Sequence, residues 1–359
     1  MRSQTRQIKI GSVAVGGGAP VSVQTMANVP TTDVANVLSQ IDRAADLGCD
    51  LFRVAVPDRD AAESLKVLCA KSRLPLIADI HFDYRLALAA IEAGVGALRI
   101  NPGNIGEKDR VRQVVEAARP RQIPIRIGVN GGSLEKSILA RYGSATAEAL
   151  VESALGHVRL LESLDYYEIK ISVKASDIPR TLAAYRLLAS KVNYPLHLGL
   201  TEAGTFLHGT VTSCVALSAL LNEGIGDTLR ISLTAPIEEE VRVGVELLRA
   251  CGLRTSGAWV TSCPTCGRTQ VNVQAAAETV TDALELFYRR HPSAKRLHVA
   301  VMGCVVNGPG EAREADVALC GGRGTFTLYH HGKQLVTLPE AVALDALLRV
   351  VREDTAVSY

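Results

Sequence analysis

The chain has 359 residues, of which 47% are hydrophobic, with 39 Lys and Arg against 37 Asp and Glu. That is enough to bury a large core in about two domains, and it excludes a mainly disordered protein. A formal net charge of +2, without a basic tail or stripe, gives no surface for neutralising a phosphate backbone, so nucleic acid is not an expected partner. No run of about eighteen apolar residues occurs, and Met1-Arg-Ser-Gln-Thr-Arg-Gln7 lacks the apolar stretch of a signal peptide, so a cytoplasmic protein without a membrane anchor is expected.

Gly16-Gly-Gly18 precedes the first long strand and reads as a hairpin turn, since a phosphate cradle belongs between a strand and a helix. From there one unit recurs: a β-branched run, a turn of Gly, Asn, Asp or Pro, then Ala and Leu at helical spacing. The runs are Val21–Met26, Leu51–Val56, Leu76–Ile80, Ala97–Ile100, Ile123–Val129, Tyr167–Val173, Leu196–Leu200 and Thr228–Leu233. Eight strands with crossover helices predict a (β/α)8 TIM-type barrel over residues 1–250. A doubly wound sheet fits less well, because the first strand-to-helix turn has no G-x-G-x-x-G. After residue 250 the pattern predicts a smaller α+β domain over 251–359, with strands near 258–261, 297–302, 315–319 and 326–329, a helix over about 271–290 and another after Pro339.

Alternate residues of a barrel strand point into the lumen, where bulky apolar side chains are the rule. Here that parity is polar: Arg53, Asp79 with His81, Arg99 with Asn101, Arg126 with Asn130, Lys170 and Ser172 with Lys174, and Arg230 with Ser232. One such arginine would read as a buried ion pair. Several cations aimed at one lumen are costly without an anion, so an anionic ligand at the C-terminal mouth, with a diphosphate favoured, is expected. Asn101 and Asn130 open glycine-bearing loops whose N–H groups can approach an oxyanion. Asp79, His81 and Glu202 end strands and are candidate proton donors, Glu202 first among them.

The chain has eight cysteines. Cys263-Pro-Thr-Cys266 and Cys304 lie on two loops of the small domain, and their spacing is open to a zinc site completed by Cys320, a redox dithiol or an iron–sulfur cluster. Cys49, Cys69, Cys214 and Cys251 read as small packing residues.

At these motifs the chain resembles the bacterial 4-hydroxy-3-methylbut-2-enyl diphosphate synthases, iron–sulfur oxidoreductases of the methylerythritol phosphate route to isoprenoids. The resemblance rests on Ala78-Asp-Ile-His-Phe-Asp-Tyr-Arg85, Leu98-Arg-Ile-Asn-Pro-Gly-Asn-Ile-Gly106, Pro124-Ile-Arg-Ile-Gly-Val-Asn130, Leu200-Thr-Glu-Ala-Gly204, Cys263-Pro-Thr-Cys266 and Gly303-Cys-Val-Val-Asn-Gly-Pro-Gly-Glu311. It implies a 4Fe-4S cluster on Cys263, Cys266 and Cys304 with the Glu311 carboxylate as fourth ligand, in place of Cys320. It also implies Arg53, Arg99, Arg126, Lys174 and Arg230 as diphosphate contacts, with Asn101, Asn130, Ser232 and Asn307 near the substrate. The implied reaction opens 2-C-methyl-D-erythritol 2,4-cyclodiphosphate with two electrons from flavodoxin or ferredoxin and releases water. No long stretch interrupts the strand count, as in the two-domain bacterial form, and the resemblance implies a head-to-tail homodimer. The rival readings are a pterin- or corrinoid-linked methyl transfer on a similar barrel and a non-enzymatic zinc-bearing binding module.

Overall fold

The structure, a computed structural model, describes residues 4–100 and 108–355. Two compact units divide the chain, Met1–Arg254 and Thr255–Tyr359. The division falls a few residues beyond the expected 250 because Arg254 is tied into the first unit, donating to the Gly48 carbonyl at 2.8 Å and to the Asp50 carboxylate at 2.8 Å.

In the first unit a hairpin, β1 (Ile8–Ile10) and β2 (Val13–Val15), precedes eight strands. These are β3 (Ser22–Met26), β4 (Leu51–Ala55), β5 (Leu76–Asp79), β6 (Ala97–Ile100), β7 (Ile125–Asn130), β8 (Ile169–Lys174), β9 (His197–Leu198) and β10 (Thr228–Leu229). All eight pair in parallel in the order β8-β7-β6-β5-β4-β3-β10-β9, and a parallel bridge from Ile171 to Leu196 closes the ring. Long stretches between strands fold as helices because the strand-to-helix turns end in capping side chains. The carboxylates of Asp58 and Asp177 accept from the N–H groups of Ala61 and Arg180 at 2.9 Å, each worth about 1 kcal/mol. The outward faces of the strands, such as Leu98, Ile100, Ile125 and Ile127, are buried against those helices.

Two expectations need correction. The hairpin turn is Gly11-Ser12; Gly16, Gly17 and Gly18 follow β2, and their φ angles of 78°, 60° and 85° carry the chain into β3. The strands β9 and β10 are two residues each, shorter than their apolar runs, in part because the N–H of Leu233 is taken by the Glu240 carboxylate at 3.1 Å. The hairpin also plugs the barrel: Ile8, Ile10 and Val15 pack with Leu51, Ile77 and Ala97 at the start of the strands.

The second unit is a five-stranded mixed sheet, β11 (Trp259–Ser262), β12 (His298–Met302), β13 (Val317–Gly322), β14 (Thr325–His330) and β15 (Lys333–Pro339). Strands β11, β12 and β13 run parallel, and the last three form an antiparallel meander. Helices Val273–Arg290 and Glu340–Asp354 lay Leu284 and Leu347 on Val299, Val301 and Leu319. The edge strand β15 escaped the sequence reading because it is almost wholly exposed and shows no alternation of burial. Among the described residues no helix is long and apolar enough to cross a membrane.

Candidate active site

The strand register sets the polar side chains in rows. Asp79, Arg99, Arg126 and Lys170 stand side by side on β5 to β8, and Asn130 pairs with Lys174 two repeats of the pleat higher. Two glycines leave the room these long side chains need. A Cβ on Gly128 would lie 2.9 Å from the Arg99 Nε, and one on Gly199 would lie 2.8 Å from the Arg230 carbonyl and crowd the Lys174 ammonium. Above these rows a cavity of about 330 Å³ opens, with Arg53, Arg99, Arg126, Lys174, Arg230 and Asp79 on its wall. His81, Asn130, Glu202 and Ser232 complete its rim together with Leu200 and Thr201.

Charge in this lumen is unbalanced. Among the described residues, Arg53, Arg99, Arg126, Lys170, Lys174 and Arg230 face three buried carboxylates, Asp79 and Glu240 beside the arginines and Asp227, which acts on Lys170. Asp79 lies 3.1 Å from an Arg99 nitrogen and 3.6 Å from the Arg53 Nε. Glu240 pairs with Arg230 at 3.2 Å and accepts from the Thr25 hydroxyl at 2.8 Å. Arg126 donates to the Ser172 hydroxyl at 2.7 Å, but its Nε, the Arg99 Nε and the Lys170 Nζ are buried without a hydrogen-bond partner. Burial first, and then the neighbouring cations, hold Arg126, Lys170 and Lys174 well below their usual ranges. Burial likewise brings Arg53 down to about 10, against the pull of Asp79. An anion entering this space recovers the cost of crowding these groups, and guanidinium forks suit phosphate oxygens.

Burial alone would raise Asp79, yet Arg53, the His81 hydrogen bond, Arg99 and Arg126 together hold its carboxyl well below the usual carboxylate range. Asp79 therefore contributes stability that is present above the unfolded carboxylate pKa of about 3.9 and lost as the pH falls from there toward the depressed folded value. Asp79→Asn, which leaves three arginines without their counter-charge, is expected to cost about 3–5 kcal/mol at pH 7 and to flatten the acid limb of a denaturant-measured stability profile. An unchanged profile would remove Asp79 from this role.

Of the other expected residues, His81 is half-exposed, with its ring nitrogens 3.1 and 3.2 Å from an Arg99 nitrogen and 3.6 Å from Asp79. Glu202 is exposed at the rim with a φ of 55°, a conformation that costs a non-glycine residue and is concentrated at functional sites. Asn101 lies outside the described residues. Sequence reasoning missed Glu240, which sits within the Glu238-Glu239-Glu240 run at the start of helix Ile237–Ala250 and reads there as helix-dipole compensation. It also missed Met26, whose sulfur lies 2.8 Å from an Arg53 nitrogen.

In the second unit, Cys263 and Cys266 follow β11, Cys304 follows β12, and Asn307 immediately precedes the short helix Gly308–Glu314 that carries Glu311. The Cys263 sulfur accepts from the Gly303 N–H at 3.1 Å. Hydrogen bonds from the backbone N–H groups of Val306 and Asn307, with Arg268 adding to them, hold the Cys304 thiol below its usual range. Thiolates stabilised by N–H groups in this way are ligands of the type an iron–sulfur cluster takes. Cys320 is buried, and burial together with the neighbouring Cys304 pushes its thiol up to about 12.

The barrel matches the GcpE TIM-barrel domain over residues 5–245, and the second unit matches the GcpE protein C-terminal domain over residues 259–353. The chain is 56% identical over 353 residues to a protein of Geobacter sulfurreducens named 4-hydroxy-3-methylbut-2-en-1-yl diphosphate synthase (flavodoxin), covering 98% of each chain. Proteins of the same name from Caldanaerobacter subterraneus subsp. tengcongensis and Clostridium acetobutylicum are 52% and 51% identical, over 98% of this chain and 98% and 99% of theirs. In fold alone, the chain resembles the N-acetylneuraminic acid synthetase of Leptospira borgpetersenii serovar Hardjo-bovis, with a TM-score of 0.51 at 15% identity over 70% of this chain and 91% of that one. With both domain models matched in order and half of all residues shared with near full-length relatives, the chain belongs to the GcpE family of 4-hydroxy-3-methylbut-2-en-1-yl diphosphate synthases.

Proposed function

We propose that this enzyme carries out the reductive dehydration and ring opening of 2-C-methyl-D-erythritol 2,4-cyclodiphosphate, giving 4-hydroxy-3-methylbut-2-enyl diphosphate for isoprenoid biosynthesis. The observation that carries this reading is the excess of buried cations around one lumen of about 330 Å³, in a chain half identical to synthases of that name. Arg53, Arg99, Arg126, Lys174 and Arg230 hold the diphosphate by charge, and this fixes the carbon end of the substrate toward the barrel mouth. Asn130, Ser232 and Asn307 supply neutral hydrogen bonds to the substrate, and Asn101 joins them from the segment outside the described residues. Asp79 keeps Arg53 and Arg99 in place and shares His81 with them, while Glu202 gives its proton to the oxygen that leaves as water.

Cys263, Cys266, Cys304 and Glu311 would hold a 4Fe-4S cluster, the fourth position being the weakly held one because a carboxylate is a harder ligand for iron than a thiolate. Such a cluster supplies single electrons, received from flavodoxin or ferredoxin, and a Lewis-acidic iron. A head-to-tail homodimer, in which each cluster domain covers the partner's barrel, brings the two sites together. The enzyme works in the cytoplasm, where thiol ligands stay reduced.

Anaerobic reconstitution with iron and sulfide, followed by turnover of the cyclic diphosphate with a reduced flavodoxin, tests the reading. Iron and acid-labile sulfide at about four per chain, with water and the linear diphosphate as products, are expected. Stoichiometric zinc bound through sulfur, with no iron and no turnover, would overturn it.

A further inference from the structure

On the far edge of the second unit's sheet, two consecutive histidines meet one carboxylate. His330 ends β14, and the His330 Nε2 lies 2.8 Å from Asp354 Oδ1; the His331 Nε2 lies 3.1 Å from Asp354 Oδ2. Neighbours along a strand normally point to opposite faces. Here the φ of 46° at His331, followed by 74° at Gly332, turns the chain so that both rings come to the same side, with centroids 4.3 Å apart. A second carboxylate, Asp316, lies 3.7 Å from the His331 Nδ1 and is held in place by accepting the His298 N–H at 2.8 Å.

Two features set this apart from an ordinary histidine–carboxylate pair. Asp354 is the last residue of helix Glu340–Asp354, where the helix dipole disfavours an anion and favours a cation. Its Oδ2 is also buried and accepts no hydrogen bond, because the nearby His331 nitrogen is poorly aligned with it. A lone pair is left aimed into the cluster. One ligand atom from each of His330, His331 and Asp354 falls within 4.8 Å of the others, and a tetrahedral ion at about 2.0 Å from nitrogen and oxygen needs them about 3.4 Å apart. Small rotations of partly exposed side chains span that difference.

We propose that His330, His331 and Asp354 form a structural binding site for a divalent transition-metal ion, zinc(II) by the chemistry of its donors, with water in the fourth position and Asp316 facing the other nitrogen of His331 as an outer partner. Two imidazoles and one carboxylate suit zinc better than magnesium or calcium, which take oxygen donors. The ion pins the β14–β15 turn to the end of the last helix, offsetting the misplaced charge at the helix terminus. The site shares no ligand with Cys263, Cys266, Cys304 or Glu311.

The test adds zinc(II) alone to the anaerobically reconstituted, cluster-loaded protein and follows dialysis equilibrium with elemental analysis and zinc X-ray absorption. One equivalent of zinc with a nitrogen and oxygen shell at about 2.0 Å is expected. Removing even an outer-shell partner of a metal weakens binding by about tenfold or more, so His331→Ala and Asp354→Asn should each lose at least that much. Cys320→Ala, which keeps the cluster, should retain the equivalent. A sulfur-containing shell, affinity that does not change in His331→Ala, or no saturable binding at all would each overturn the proposal. His331 is half-exposed, so its variant should fold, and circular dichroism before titration confirms that comparison.

Discussion

Cys304→Ala protein, reconstituted anaerobically with iron and sulfide, is expected to come back colourless and without turnover. Two things converge on this sulfur. It follows β12 directly, so the sheet fixes its position, and the N–H groups of Val306 and Asn307 favour its thiolate form. Removing it leaves the pair on the Cys263 to Cys266 loop and one carboxylate, too few to hold four irons. Cys320→Ala provides the contrast: its thiol is packed and pushed up to about 12, so cluster absorbance should survive. Loss of the cluster in Cys320→Ala with retention in Cys304→Ala would reverse the ligand assignment. The barrel is a separate unit, so Cys304→Ala should still bind the cyclic diphosphate in calorimetry.

Arg126→Met should separate binding from stability. Arg126 is buried, with Arg99 and Lys170 in register on either side and, among the described residues, only Ser172 to accept from it. Removing one of several crowded cations relieves desolvation and repulsion, so the ligand-free protein is expected to gain about 1–2 kcal/mol and a few degrees in Tm. The same change removes a guanidinium from the diphosphate at a loss of about 3 kcal/mol, which is about a hundredfold in KM. Arg126→Lys keeps the charge without the fork and should recover only part of the affinity. A variant with lower Tm and unchanged KM would place Arg126 in the scaffold instead of the binding site. Stability given up for a charged pocket is a general pattern at functional sites.

The barrel was readable because its period was readable. Eight β-branched runs separated by helical stretches admit few other topologies, and strand parity alone put Arg53, Arg99, Arg126, Lys174 and Arg230 on one face. Parity says nothing about what a neighbouring element adds. Glu240 and Met26 reach the lumen through pairings across the ring, and Glu240 in particular comes from a helix whose acidic first turn explains itself locally. Short strands such as β9 and β10 were overdrawn because an apolar run does not reveal which N–H groups a side chain will capture. The exposed edge strand β15 was missed for the opposite reason, having no buried face to impose a pattern. In the cysteine domain, spacing alone left zinc, a dithiol and a cluster open, and only the family resemblance singled out Glu311.

The apolar plug made by Ile8, Ile10 and Val15 turns the barrel into a vessel with a closed floor. Whatever enters among the arginines must depart by the same opening, so linear product and incoming ring compete for a single doorway. Product that has not yet left therefore blocks the way in for the next ring.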